Sequence, residues 1–172
     1  GGSSIGSGSP FNPVGIAGSG LANTNTPGTT TFYVECSSVE GCRTPVTFVI
    51  NPLPTVTISG NTTICFGSSS AITFTGTPNA TVTYTVNSGS NQTVVLDNLG
   101  VASVPTGNLT NTTTYDLVSV LSSGVPCGQT QMGTVTVTVV PIPLVNTIVA
   151  SPSVCSGQPT GISLSSNVPG AT

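Results

Sequence analysis

Histidine, lysine and tryptophan are absent from this chain of 172 residues, which contains one arginine and four carboxylic side chains. The carboxylic residues are Glu35, Glu40, Asp97 and Asp116, and they occur singly rather than in pairs or clusters. General acid and base catalysis needs a positioned histidine, lysine, tyrosine or cysteine, or a pair of carboxylates. The sequence therefore predicts no catalytic residues and no enzyme in this stretch.

The same scarcity argues against metal, cofactor and nucleic-acid sites. Zinc needs closely spaced cysteine and histidine, and calcium loops need several neighbouring carboxylates. The glycine-rich opening, residues 1–20, lacks the lysine of a phosphate-binding loop. With one arginine and a net charge of −3, the chain cannot neutralise the phosphates of a nucleic acid. We expect no metal, no cofactor and no nucleic-acid partner.

Long apolar runs are also missing. A membrane helix requires about 18 consecutive apolar residues. The longest candidate, residues 135–150, is broken by threonine, proline and asparagine. The sequence thus predicts no membrane insertion. Five cysteines in a chain that is only 3% charged favour an oxidising, extracytoplasmic setting.

Alternation of apolar and polar residues dominates the sequence and predicts an all-β fold. Residues 134–139 place three valines on one face and three threonines on the other, as in a half-buried strand. The same pattern predicts strands over 54–59, 71–76, 81–86, 91–96, 101–104, 113–121 and 134–139. Turn residues separate them at spacings typical of an antiparallel sandwich. The expected inward residues are Ile72, Phe74, Val82, Tyr84, Tyr115, Leu117, Val135 and Val137.

An internal repeat predicts several modules. Pro52-Leu53-Pro54 recurs as Pro141-Ile142-Pro143, and the match continues into the following strands after a one-residue slip. Upstream, the stretch from Thr30 to Ile50 resembles the stretch from Thr113 to Val139. We therefore expect the C-terminal part of one module in 1–51, a complete module in 52–140 and the N-terminal part of a third in 141–172, arranged as a linear array.

Proline pairs punctuate these boundaries. Pro52, Pro54, Pro141 and Pro143 are expected to have a structural role. They can stiffen the array by holding each linker extended, or they can simply mark strand ends that cannot continue a ladder. Both alternatives keep the modules in line.

Three segments of the sequence resemble those of a known protein family. The run from Asn51 to Gly60, the Ile64-Cys65-x-Gly67 start and the Thr-Thr-Thr-Tyr strand at 112–115 resemble the PKD-like and immunoglobulin-like repeats of giant Bacteroidetes surface proteins. The resemblance covers the whole chain. It implies tandem immunoglobulin-like β-sandwich modules, with residues 1–51 similar to the immunoglobulin-like variety and the remainder to the PKD-like variety.

The resemblance also implies a location and a broad role. Such proteins are exported by the type IX secretion route and include the adhesins of gliding bacteria. We therefore expect a secreted or outer-membrane-associated stalk or adhesive filament, active in surface attachment or gliding motility. Its partners would be neighbouring modules of the same chain, other copies in a filament, secretion or motility machinery, and a surface or polysaccharide ligand that remains unidentified. The alternative is a carbohydrate-binding or spacer module of a large secreted enzyme.

Disulfides are expected to strengthen the modules. The family pattern joins a cysteine of the front half to one of the back half, which implies a Cys65–Cys127 bond and leaves Cys155 unpaired within these residues. Closing a loop of that length would stabilise the module by about 4 kcal/mol. An in-register hairpin would place Cys36 opposite Cys42 and Glu35 opposite Arg43. The alternative is that Cys36 and Cys42 bond to cysteines outside this stretch.

Three other residues have structural interpretations. Tyr115 opens its strand as a tyrosine-corner residue does, with its hydroxyl expected to bond to the backbone. Asp97 is expected to cap a turn, and Asp116 to face solvent.

Overall fold

The computed structural model describes residues 3–35, 41–149, 153–159, 161 and 163–169. These residues form an all-β structure without helices, as the alternating pattern predicts. Within them, no helix offers the length and apolar content needed to cross a membrane. The strands are β1 (Gly28–Glu35), β2 (Arg43–Ile50), β3 (Val56–Ser59), β4 (Thr62–Cys65), β5 (Ala71–Gly76), β6 (Thr81–Val86), β7 (Gln92–Val95), β8 (Val101–Pro105), β9 (Thr113–Leu121), β10 (Gly128–Thr130), β11 (Thr134–Val140), β12 (Val145–Val149) and β13 (Ser163–Ser166).

Strands β3 to β11 form two sheets. The smaller sheet has the order β3-β5-β8, and the larger has the order β4-β11-β9-β6-β7, with β10 paired to the end of β9. Every pairing is antiparallel except that of β4 with β11, which is parallel. Apolar side chains of both sheets meet in one core, so this part of the chain is a β-sandwich.

The core contains all eight of the predicted inward residues. Phe74 on β5 and Tyr84 on β6 come from opposite sheets, and their rings lie 5.0 Å apart with an interplanar angle of 43°. Tilted aromatic pairs at such distances add to the free energy gained by burial. The buried apolar residues of the sandwich are Val56, Ile72, Phe74, Ala80, Val82, Tyr84, Leu96, Tyr115, Leu117, Val120, Val135 and Val137.

The β12–β13 hairpin repeats the pairing of β3 with β5. The partners Ile58 and Phe74 recur as Ile148 and Leu164, and a bulge between Val145 and Thr147 matches the one-residue slip in the repeat. The hydrogen bonds at the end of each strand pair recur as well. Thr55 N donates to Thr77 Oγ1 at 2.9 Å and Thr77 N to Thr55 O at 2.8 Å.

The corresponding bonds in the second hairpin join Leu144 and Asn167. Leu144 N donates to Asn167 Oδ1 at 2.7 Å, and Asn167 N donates to Leu144 O at 3.3 Å. In both strand pairs, a polar side chain after the second strand therefore accepts a hydrogen bond from the amide that precedes the first strand. The two strand pairs have the same register and the same hydrogen bonds at this end.

The β1–β2 hairpin repeats the pairing of β9 with β11. Phe32 opposes Val46 as Tyr115 opposes Val135. The neighbouring partners agree too, with Thr31 opposite Thr47 as Thr114 is opposite Thr136. A single-residue slip would exchange the two faces of a strand. Equal register therefore places corresponding residues on corresponding faces.

Candidate interaction surface

In the part of the chain that the structure describes, no group of three His, Cys, Asp or Glu residues could hold a metal ion. Asp97 caps the turn before β8, as predicted. Its Oδ1 atom accepts hydrogen bonds from Leu99 N and Val101 N, each at 2.9 Å. Asp116 is partly exposed on β9, where its Oδ1 accepts a hydrogen bond from Thr134 Oγ1 at 2.7 Å.

Tyr115 is a core residue, but the predicted tyrosine corner is wrong. Among the described residues, its hydroxyl makes no hydrogen bond with the backbone, and no buried polar side-chain atom lacks a partner, so the hydroxyl oxygen retains contact with solvent. Burial, together with the nearby Tyr84, raises the pKa of Tyr115 above its ordinary value. The ring packs in the core while the hydroxyl stays protonated at neutral pH.

The predicted Cys65–Cys127 disulfide is also wrong, because strand register places the two residues at opposite ends of the larger sheet. Cys65 pairs with Val140, beyond the end of β9 at which Thr113 opposes Val137. Cys127 follows the other end of β9, where its carbonyl accepts a hydrogen bond from Ser122 N at 2.9 Å. The nine residues of β9 alone span more than about 25 Å, whereas a disulfide needs Cα atoms within about 7 Å.

The other cysteine predictions are untested. Cys36 lies outside the described residues, so its pairing with Cys42 stays a prediction. Cys155 is exposed after β12, and its lack of a partner within this chain likewise stays a prediction.

The proline pair before β3 is fixed to the sandwich at one end only. Pro54 is buried, and its carbonyl oxygen accepts a 2.7 Å hydrogen bond from Gln129 Nε2. Pro52, Pro141 and Pro143 are exposed. The stiffening role of the four prolines stays a prediction.

The β1–β2 hairpin presents one strongly apolar face, which we call the acceptor face. Because partners lie directly opposite and side chains alternate along each strand, even-numbered residues of the hairpin share this face. Val46 is 49% exposed and Val34 is 61% exposed, while the remaining large side chains are partly buried. The large apolar residues of the acceptor face are Phe32, Val34, Val46, Phe48 and Ile50.

A cleft of about 620 Å³ lies beside this hairpin. Its lining comprises residues 3–8, Phe11, Gly18, Ser19, residues 31–35 and Arg43. Tyr33, which is 63% exposed, lies in its lining and offers an aromatic ring.

The Glu35–Arg43 pair closes the hairpin in the predicted register. Arg43 Nη2 lies 2.9 Å from Glu35 Oε2, and Arg43 Nε donates to the same oxygen at 3.0 Å. Gly41 N donates to Glu35 Oε1 at 3.3 Å. The hydrogen bond from Arg43, followed by that from Gly41, holds the pKa of Glu35 below its ordinary value.

We expect an Arg43→Gln variant to raise the pKa of Glu35 towards its ordinary value, as measured by an NMR titration of the carboxyl carbon. Since the folded-state pKa is lowered, the pair stabilises the hairpin above the ordinary glutamate pKa and loses this effect as the pH falls through the folded-state value. An unchanged Glu35 pKa in the variant would contradict the assignment of the pair.

Comparisons with known proteins do not identify a family for this chain. The chain matches no protein-family model and shows no significant similarity to a curated protein. The acceptor face and the cleft are therefore interpreted from their own geometry.

Proposed function

We propose that this chain is a non-catalytic segment of a long secreted or cell-surface adhesin or filament. In this proposal, immunoglobulin-like modules of the PKD-like kind follow one another in a line and act as an extended stalk or adhesive fibre. The observation that carries the proposal is the recurrence of strand register on both sides of the central sandwich. β1–β2 has the register of β9–β11, and β12–β13 has the register of β3–β5.

Sheet order also supports an immunoglobulin-like module. β3-β5-β8 faces β4-β11-β9-β6-β7, which corresponds to A-B-E strands facing G-F-C strands. The recurring pairs and the Pro-x-Pro strings favour several such modules in tandem, since repeat proteins stack one kind of unit along a chain. Sandwich folds host many functions, so the adhesive role rests on the repeat and on the resemblance to surface proteins.

Surface chemistry is consistent with a packed or tethered polymer. The chain is 3% charged, far below the quarter or more that is usual for a freely soluble domain. Neutral, threonine-rich strands repel one another little when copies lie side by side. We propose that the outer surface of the cell is where the chain acts, after export by the type IX route.

Surface labelling of the source cells tests this proposal. An antibody against residues 52–140 should label intact cells, and deletion of the gene should reduce their attachment to surfaces or their gliding. An antibody against a cytoplasmic protein, which should label only permeabilised cells, is the control. Labelling that requires permeabilisation would reject the surface role.

A carbohydrate-binding role is the second candidate, because the cleft beside β1 contains exposed aromatic side chains. Tyr33 is 63% exposed and Phe11 is 41% exposed, and sugars stack on exposed aromatic rings. If this role holds, Tyr33→Ala should abolish binding to a polysaccharide panel. Phe66→Ala, at an exposed ring that does not line the cleft, should leave binding intact. The absence of polysaccharide binding by the unaltered chain would reject this candidate.

A further inference from the structure

The chain enters and leaves the central sandwich at opposite ends. At the entry, the Pro54 carbonyl oxygen accepts its hydrogen bond from Gln129 on β10, which pairs with the last residues of β9. At the exit, Val140 ends β11, which pairs with the first residues of β9. The nine residues of β9 separate these two points by about 25 Å. Tension between the entry and the exit would therefore act along the strands.

The strand pair that joins the entry side of the chain to the exit is parallel. β4 follows β3 along the chain and pairs with residues 137–140 of β11, so both strands run towards the exit. Tension would pull β4 back towards the entry and β11 outwards beyond the exit, which would force the two strands to slide past each other. The hydrogen bonds of a parallel pair are evenly spaced. They would resist this sliding together, whereas strands pulled apart from one end separate one bond at a time.

Two further hydrogen bonds lengthen this pair, one at each end. Before β4, Asn61 Oδ1 accepts a hydrogen bond from Thr136 N at 2.7 Å. After β4, Phe66 N donates to Val140 O at 2.8 Å. β3, by contrast, lies at the edge of the smaller sheet and pairs with β5 alone. If tension draws β3 off this edge, the lengthened β4–β11 pair still holds the entry side of the chain to the exit.

We propose that the β4–β11 pair, with its two flanking hydrogen bonds, is a mechanical clamp that keeps the sandwich folded under tension between Pro54 and Val140. The inference rests on the proposed function, because an extended stalk transmits force from one module to the next. It assigns to β4 a role that burial does not indicate. Ile64 is its one side chain packed against the core, and it is only partly buried.

Force spectroscopy of the 172-residue chain, held by handles at its two ends, tests the proposal. Release of residues 54–140 should lengthen the chain by roughly 250 Å, at about 3.4 Å for each extended residue, and this step identifies the sandwich. At constant force, the rate of the step reports the barrier to unfolding rather than the equilibrium stability. Removal of one clamp bond should accelerate the step about fivefold, the effect of a single hydrogen bond.

Position 66 offers a matched pair of variants. Ser68 N donates to Cys65 O, and Gly67 has a φ of +79°. Phe66 therefore occupies the second position of a type II turn, where proline is favoured. Phe66→Pro fits this turn but removes the N–H that bonds to Val140 O, whereas Phe66→Ala removes the same exposed ring and keeps the N–H. We expect about fivefold faster release for Phe66→Pro and an unchanged rate for Phe66→Ala.

Two asparagine variants separate mechanical from thermodynamic effects. Asn61→Ala removes the acceptor of Thr136 N and should also accelerate release about fivefold. In Asn87→Ala, the lost bond joins Asn87 Oδ1 to Thr114 N at 2.8 Å, outside the clamp. Asn87 has a φ of +49°, so alanine there should destabilise the sandwich in urea at least as much as Asn61→Ala does. Its release rate under force should nevertheless be unchanged, because interactions still intact at the barrier do not alter the unfolding rate.

Equal rates for Phe66→Pro and Phe66→Ala would overturn the clamp, and so would equal acceleration by the two asparagine variants. The two proposals can fail separately. If these rates are equal while intact cells are labelled, the clamp is rejected and the surface role stands. If the variants behave as expected but cells are labelled only after permeabilisation, the surface role is rejected and the clamp stands as a property of the sandwich.

Discussion

Replacing Phe74 with alanine should lower the free energy of unfolding of the central sandwich by about 3 to 5 kcal/mol. The Phe74 side chain is 0% exposed, and its ring lies 5.0 Å from that of Tyr84 on the opposite sheet. Its strand pairs with β3 on one side and β8 on the other, so the surrounding backbone is held and can collapse only partly into the cavity. Small domains are stable by only about 5 to 15 kcal/mol in total.

Urea unfolding followed by circular dichroism measures this loss. Phe66→Ala is the matched control, because the Phe66 side chain is 50% exposed and contributes little to the core. We expect the control to change the free energy of unfolding by less than about 1 kcal/mol. Comparable losses in the two variants would show that Phe74 does not anchor the contact between the sheets.

The strands and core of the sandwich could be predicted because period-two alternation records which side chains face inward. Residues 134–139 are an example, since Val135 and Val137 are buried and the intervening threonines are not. Strands β5, β6 and β9 also begin and end at the predicted residues. A two-sheet structure needs one apolar face on each strand, and the sequence displays those faces directly.

The alternating pattern does not predict β4 and β10, because their residues, Thr-Thr-Ile-Cys and Gly-Gln-Thr, do not alternate between apolar and polar. β10 has three residues and extends only the end of β9. β4 has four residues and is held at the sheet edge by parallel pairing with β11. Asn61 Oδ1 continues this edge by accepting a hydrogen bond from Thr136 N at 2.7 Å. Such contacts depend on which strand ends lie side by side, and local sequence does not encode that.

The prediction of the Glu35–Arg43 pair and the prediction of the Cys65–Cys127 disulfide are based on different kinds of evidence. The Glu35–Arg43 pairing follows from counting residues outward from a loop, and the structure has that register. The Cys65–Cys127 bond follows only from the resemblance, which does not specify strand direction, and the parallel pairing of β4 with β11 carries Cys65 away from Cys127. The acceptor face could be recognised as apolar from sequence. The exposure of its side chains could not, because exposure depends on what covers the face, and the structure leaves Val46 exposed but Phe32 and Phe48 partly buried.

The turn before β8 offers the second large effect, because we expect Gly100→Ala to cost about 3 to 5 kcal/mol. Gly100 has a φ of +79°, a conformation that costs an L-residue about 1 to 2 kcal/mol. A Cβ atom there would also overlap the carbonyl oxygen of Gly76, whose N–H donates to Gly100 O at 2.8 Å. Relieving the overlap would separate the turn from the end of β5 and disturb the loop that Asp97 caps.

Gly107→Ala separates the two causes. Gly107 has a φ of +68°, but a Cβ atom there would meet no atom within 4 Å. The substitution should therefore lower the free energy of unfolding only by the cost of the left-handed backbone conformation, about 1 to 2 kcal/mol. Thermal unfolding of the two variants measures the difference, which reports the contact between the turn and Gly76. Equal melting temperatures would mean that the backbone moves aside at no cost, and that this turn does not fix the end of β5 against β8.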